Sequence, residues 1–270
     1  MNSQYQNEYQ FPDCDYPKVS IIIPALNCEG PIALTLESVL NQQYPDYEVI
    51  IIDAGSTDRT LEVIKGFHSD KIRLYSVSNY MRYEMLNNGI SHAQGTYTTI
   101  LFPGDFYIYH RTLKYMMNLA LRNSAPELVY CGTLLRDGQS EVKPLYRTLS
   151  LKLLSLGQQP TSLQSCWFRT DAIKQLGKFN VNYKLRGGFD LLFRFVLKGF
   201  RAMSSSRVLT DYDMRWVNWK LVCVHFMETG KTIWRYRGLL ATVRWFFHQK
   251  DLKRIFKLGV RRFRAAFREK

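Results

Sequence analysis

The sequence predicts an α/β protein built on a mostly parallel sheet with helices on both faces. Three observations predict it. Val19–Ile23 and Tyr47–Ile52 are short β-branched runs without polar alternation, the pattern of strands buried on both faces. Segments with apolar residues at helical spacing separate these runs, so strand and helix alternate from residue 19 to residue 102. Polar residues, Asn27, Asp53 and Asp105, follow the runs. Open parallel sheets bind ligands at the carboxyl ends of their strands, so these three are the first candidates for a site.

Residues 1–17 read as a loose arm ending at Pro17. Val19–Ile23 is the first strand and is stopped by Pro24. Ile32, Leu34, Leu36, Val39 and Leu40 mark a helix over 31–42. Tyr47–Ile52 is the second strand, with Asp53-Ala54-Gly55-Ser56 as its C-terminal turn. Thr57-Asp58 caps a helix over 59–67. Ile72–Ser76 is a third strand, 83–93 a helix and Tyr97–Phe102 a fourth strand. Such alternation implies right-handed crossovers between parallel neighbours.

The second half is less regular. It predicts a helix over 111–122, a strand over 128–134, a short apolar run over 164–168, and helices over 171–176 and 190–199. No internal repeat is present, which argues against a solenoid. From Lys231 to Lys270 the composition shifts. Thirteen Lys and Arg face only Asp251 and Glu269, so most of the formal net charge of +14 lies there. Leu252, Ile255, Phe256, Phe263, Ala266 and Phe267 recur at helical spacing with the basic residues on the other side. That pattern suits a helix lying in a membrane interface, and 229–270 is expected to be a basic amphipathic helical tail.

Composition bounds the function. The chain has 270 residues, 46% of them hydrophobic and 14% aromatic, enough for one sizeable core. A pI near 9.6 implies a polyanionic partner. The charge sits in an aromatic-rich tail without a nucleic-acid motif, so an anionic membrane surface is expected and nucleic acid is not. The five cysteines form no C-x-x-C pair, and the five histidines form no H-x-x-x-H pair. Zinc and a disulfide framework are therefore not expected, and a reducing compartment is. The polar, acidic N-terminus does not read as a signal peptide, and no stretch reaches 18 uncharged apolar residues. The expectation is a cytoplasmic protein held peripherally on the inner face of the membrane. P-loop, dinucleotide and nucleophile-elbow motifs are absent from the sequence.

Three segments, taken in order, resemble the family 2 glycosyltransferases. Val19–Asn27 is similar to their opening strand. Val49–Thr60 is similar to their second strand and acidic turn. Tyr83–Ile90, Ala93-Gln94-Gly95 and Ile100–Asp105 resemble their approach to the metal-binding turn. The match extends over about residues 18–200. The resemblance implies a GT-A fold over 18–228, with a nucleotide-sugar half at 18–110 and an acceptor half at 111–228. It implies an inverting transfer from a nucleotide-sugar donor, a UDP-sugar first, to a lipid-linked or glycan acceptor in cell-envelope polysaccharide or lipopolysaccharide synthesis.

The resemblance also implies roles for particular residues. Pro24, Ala25 and Asn27 match the loop beneath the nucleotide, Asp53 the residue that touches its base or ribose, and Asn87 a further donor-side position. Asp105 matches the metal-binding aspartate, with Gly104 where a second aspartate often stands. A leaving diphosphate needs neutralisation by a cation that takes oxygen ligands, so Mn²⁺ or Mg²⁺ is the expected cofactor. An inverting transfer also needs a base for the acceptor hydroxyl. Alignment on Asp190-Leu191 puts Gly188 at the usual base. Asp190 is the nearby carboxylate, so either it acts as base or the usual base is missing. The alternative function is a glycosyltransferase-like protein that binds a nucleotide sugar or a partner without turnover.

Overall fold

The computed structural model describes residues 15–78, 81–136, 142–213 and 219–248. Strand β1 (Val19–Ala25) lies at the centre, buried along its whole length. Parallel neighbours flank it: β2 (Tyr47–Asp53) on one side and β4 (Tyr97–Ile100) on the other, with β3 (Ile72–Ser76) outside β2. The unalternated apolar runs are explained by the two cores. Ile21, Ile23, Val49 and Ile51 face one side and pack with Ile32, Leu36 and Val39 of helix α1 (Pro31–Leu40). Ile22, Ile50 and Ile52 face the other and pack with Leu86 and Ile90 of helix α3 (Arg82–His92). A Cβ on Gly89 would lie 2.5 Å from Ile22 Cγ2, so α3 approaches β1 this closely only because residue 89 has no side chain. Helix α2 (Thr60–Gly66) connects β2 to β3.

The chain leaves β1 toward β2 and β3, then crosses back to β4. That reversal between β1 and β4 opens a crevice at their carboxyl ends. Beyond β4 the sheet becomes mixed. Helix α4 (Thr112–Arg122) leads to β5 (Leu128–Arg136), and β7 (Cys166–Arg169) fits antiparallel between β4 and β5. The same edge of β5 pairs β6 (Val142–Leu145), and its other edge pairs β8 (Ala202–Asp213) in parallel. Short helices α5 (Leu151–Ser155) and α6 (Thr170–Gln175), helix α7 (Gly187–Leu197) and a 3-10 turn at Leu163–Ser165 complete this half. The expected GT-A-type architecture is thus the observed one.

Three differences from the sequence reading matter. First, β8 was not expected. Its Ser204-Ser205-Ser206 run hides any apolar pattern, yet its last residues reach the crevice. Second, α7 begins at Gly187, so Asp190 lies a full turn inside the helix. Third, helix α8 (Trp219–Phe247) crosses the boundary expected at 228/229 and bends at Gly238, whose φ is 77°. Ile233 and Trp245 of α8 are buried in the second core, so this stretch is a packed part of the domain. The arm up to residue 14 and the basic stretch 249–270 lie outside the described residues.

Candidate active site

At the crevice, the loops after β1 and β2 are joined by hydrogen bonds. The Asn27 side-chain oxygen accepts from the Thr57 amide at 2.8 Å, and the Asn27 amide donates to the Ser56 hydroxyl at 3.0 Å. The Cys28 amide donates to Thr60 Oγ1, and the Glu29 amide to Asp58 Oδ2. Asn27 adopts φ 46°, the left-handed region that Asn tolerates better than most residues. Asp53 is buried and organises its own turn. Its Oδ2 accepts from the amides of Gly55 and Ser56, and its Oδ1 from the Ser56 hydroxyl. Pro24 and Ala25 are buried beneath this floor as the end of β1.

Across the crevice stands the turn Phe102–Asp105. Thr35 of α1 fastens it, accepting from the Gly104 amide at 2.9 Å and donating to the Asp105 carbonyl at 2.8 Å. Gly104 has φ 97°, so glycine satisfies the backbone here and an aspartate would be strained. The Asp105 carboxylate is 2% exposed. Its Oδ1 accepts from the Asp213 amide at 3.0 Å, and its Oδ2 accepts from the Gln164 side chain. Burial pushes its pKa up to about 7; those two hydrogen bonds oppose the shift and the Asp211 charge adds to it.

Strand β8 brings two carboxylates that the sequence reading missed. Asp211 forms an ion pair with Arg136, at 2.8 Å to Nη2, and Asp213 lies 3.8 Å from Nη1 of the same guanidinium. Arg136 also donates to the Gly104 carbonyl at 3.3 Å. A Cβ on Gly104 would sit 3.9 Å from Asp213 Oδ2, so the Asp213 carboxylate stands beside the position where the family often carries acid. The Asp211-Tyr212-Asp213 spacing was visible in the sequence, but without a predicted strand nothing placed it at the site.

These residues fit a divalent cation. The donors are all hard oxygens, and among the described residues no cationic side chain forms an ion pair with Asp105. Among the described residues no three acidic, histidine or cysteine side chains enclose a common point. Mg²⁺-type sites are commonly built from one or two carboxylates plus the substrate's phosphates, which this arrangement allows.

Two expected site residues are placed elsewhere. The Asn87 amide group donates to the Phe179 carbonyl at 2.8 Å and its oxygen accepts from the Phe179 amide at 2.9 Å, so Asn87 clamps that segment onto α3. Asp190 is fully buried. One oxygen accepts from Arg194 at 2.9 Å and the other from the Tyr236 hydroxyl at 2.8 Å. Both Asp190 oxygens thus tie α7 to α8, and neither is open to an acceptor here, as a base requires. Gly188, at the family's base position, has room: an added Cβ would meet Leu163 at 3.5 Å. At Gly187 the Tyr83 ring already fills that space, 2.6 Å from an ideal Cβ.

The profile of Glycosyl transferase family 2 matches residues 20–176. The chain belongs to that family. Among its relatives is an uncharacterized glycosyltransferase of Rickettsia typhi, 33% identical over 189 residues, which are 67% of this chain and 59% of that protein. The match thus spans less than two thirds of that relative's length. A PGL/p-HBAD biosynthesis glycosyltransferase of Mycobacterium bovis is 24% identical over 73% of each chain. Two solved structures share the fold. TarS of S. aureus, in complex with UDP-GlcNAc, aligns with TM-score 0.66 at 16% identity, over 82% of this chain and 67% of that one. The mannosyltransferase PcManGT of Pyrobaculum calidifontis, with GDP-Man and Mn²⁺, aligns with TM-score 0.64 at 17% identity, over 97% and 81%.

Proposed function

We propose that this chain transfers a sugar, with inversion, from a nucleotide-sugar donor to a hydroxyl of a lipid-linked glycan in cell-envelope synthesis. One observation carries the donor reading. The joined loops at Asn27 and Asp53 and the buried Asp105 follow neighbouring strands at the switch point of a parallel sheet. Asp53 and Asn27 shape the floor for the nucleoside. Asp105 would hold Mn²⁺ or Mg²⁺, with Asp213 beside it, and that cation would supply neutralisation of the diphosphate charge. The acceptor oxygen attacks the anomeric carbon, the bond from that carbon to the diphosphate oxygen breaks, and the acceptor proton passes to a base. TarS and PcManGT carry UDP-GlcNAc and GDP-Man in their structures; we take from them the donor class, and a UDP-sugar is the first to test.

The lipid reading rests on α8. Met227, Trp234, Leu239, Leu240 and Phe247 are exposed among Lys231, Arg235, Arg237 and Arg244. Among the described residues no helix is long and apolar enough to cross a membrane. The face suits attachment to an anionic surface, where each cationic side chain contributes about 1 kcal/mol.

A second reading, donor binding without turnover, is favoured by Gly188 at the base position and by the burial of Asp190. A donor screen with Mn²⁺ or Mg²⁺ and membrane extract as acceptor separates the two. Release of nucleoside diphosphate that depends on the extract supports transfer. Saturable donor binding with no release supports the second reading, and neither binding nor release rejects both.

A further inference from the structure

Helix α8 has two opposed faces, and each meets a different part of the problem. The inner face carries Glu228, Thr232 and Tyr236, four residues apart and therefore aligned along one side of the helix. The Glu228 carboxylate accepts from three successive amides, Lys184 at 2.7 Å, Leu185 at 3.0 Å and Arg186 at 2.8 Å. The Thr232 hydroxyl donates to the Tyr183 hydroxyl, and Tyr236 donates to Asp190. So α8 grips the whole 183–190 segment that opens α7.

That segment borders the crevice. The Tyr83 hydroxyl accepts from the Gly187 amide and donates to the Leu185 carbonyl. Gly188 faces Leu163, whose neighbour Gln164 donates to Asp105. Between Glu228 and the Asp105 turn thus lie the 184–188 backbone, the Leu163 side chain beside Gly188, and Gln164.

The outer face is apolar and cationic. Leu239 and Leu240 stand at the bend, 63% and 88% exposed, and Trp234 is 63% exposed. Lys220, Arg237 and Arg244 carry exposed charge, whereas Lys231 and Arg235 lie over the Tyr183 and Tyr236 rings, and the one acidic residue of the helix, Glu228, is used on the inner face. After the bend, Trp245 returns to pack on Phe226 with ring centroids 4.8 Å apart, which holds the two leucines outward.

The geometry points to α8 as a coupling element. An anionic lipid surface occupies its outer face, and its inner face, through Glu228 as positioning residue, then fixes the acceptor wall at 183–190. This rests on the lipid reading above and extends it: attachment does more than hold the enzyme near its acceptor, because it also orders the wall that the acceptor meets. A surface that binds the ordered form of α8 better than the frayed form shifts the segment by that difference in affinity.

Amide hydrogen exchange of the full chain tests this, read at Lys184, Leu185 and Arg186, with vesicles of phosphatidylglycerol or of phosphatidylcholine. Phosphatidylglycerol should slow exchange at these amides by about tenfold, and phosphatidylcholine should not. Glu228→Gln should bind phosphatidylglycerol vesicles as the parent does but lose the slowing. The double variant Leu239→Ser, Leu240→Ser touches nothing in the segment. It should lose vesicle binding and slowing together, with lipid-free exchange at 184–186 unchanged. Binding to phosphatidylglycerol without any change at 184–186, or slowing that survives in Glu228→Gln, overturns the coupling. Absence of vesicle binding overturns the coupling and the lipid reading together. A UDP titration of the same sample reports the donor reading separately.

Discussion

The first half of the chain, up to residue 110, and the rest of it place polar groups in different ways. In the first half the important residues follow buried parallel strands directly, and their partners are loops of the neighbouring strand, as with Asn27 and Thr57. In the second the partners come from separate elements: Glu228 and Tyr236 of α8 meet 183–190, and Asp213 of β8 meets Asp105. The first arrangement is written in short motifs. The second depends on tertiary packing, as at Asp190, whose two oxygens are held by Arg194 and Tyr236.

The largest expected effect breaks the comparison at Asp190. Asp190→Ala leaves Arg194 and Tyr236 without their shared acceptor and should lower stability by about 3–5 kcal/mol in denaturant unfolding. UDP affinity of the folded protein should stay near the parent's. Unchanged stability with turnover cut by about 10²–10⁴ would restore Asp190 as the base.

Next comes the pH dependence of Asp105. Its folded pKa lies near 7, above the unfolded value of about 3.9. Between these values the unfolded chain releases the proton while the folded chain keeps it, so stability falls as pH rises from 4 to 7. Below 4 the group has no effect, and above 7 the loss is complete. Asp105→Asn removes the slope, and without metal it should be more stable than the parent by about 2–4 kcal/mol at pH 8 and nearly equal at pH 4. Parallel stability curves for the two proteins would show that burial does not govern Asp105.

Two adjacent glycines give smaller effects of opposite sign. Gly187→Ala drives a methyl into the Tyr83 ring and should cost about 1–3 kcal/mol. Gly188→Ala meets Leu163 at an ordinary distance and should stabilise the first turn of α7 by up to about 1 kcal/mol. Equal effects in thermal unfolding would mean that Tyr83 does not shape the start of α7.

The same contrast explains what was legible in the sequence. The strands at 19–25 and 47–53 could be read because burial on both faces forces an unbroken apolar run. The turn at Asp53 follows the second of these, and the turn at Asp105 follows β4. Strand β8 was not legible: its first half is half-exposed and serine-rich, and so periodicity carries no signal. Asp211 and Asp213 were lost with it. Helix α8 showed its charge but not its inner face, because the spacing of Glu228, Thr232 and Tyr236 is polar and reads as surface until their partners at 183–190 are known. Asn87 and Asp190 were visible as polar residues on helices, and only the fold shows that both hold segments together.

The central claim is that the crevice binds a nucleoside diphosphate through a cation held at Asp105. The direct measurement is a calorimetric titration of UDP into the parent and into Asp105→Asn, each with and without Mn²⁺. The account predicts that Mn²⁺ tightens UDP binding to the parent by about tenfold or more, while the variant binds UDP equally weakly with and without the ion. An equal gain from Mn²⁺ in both proteins would contradict it.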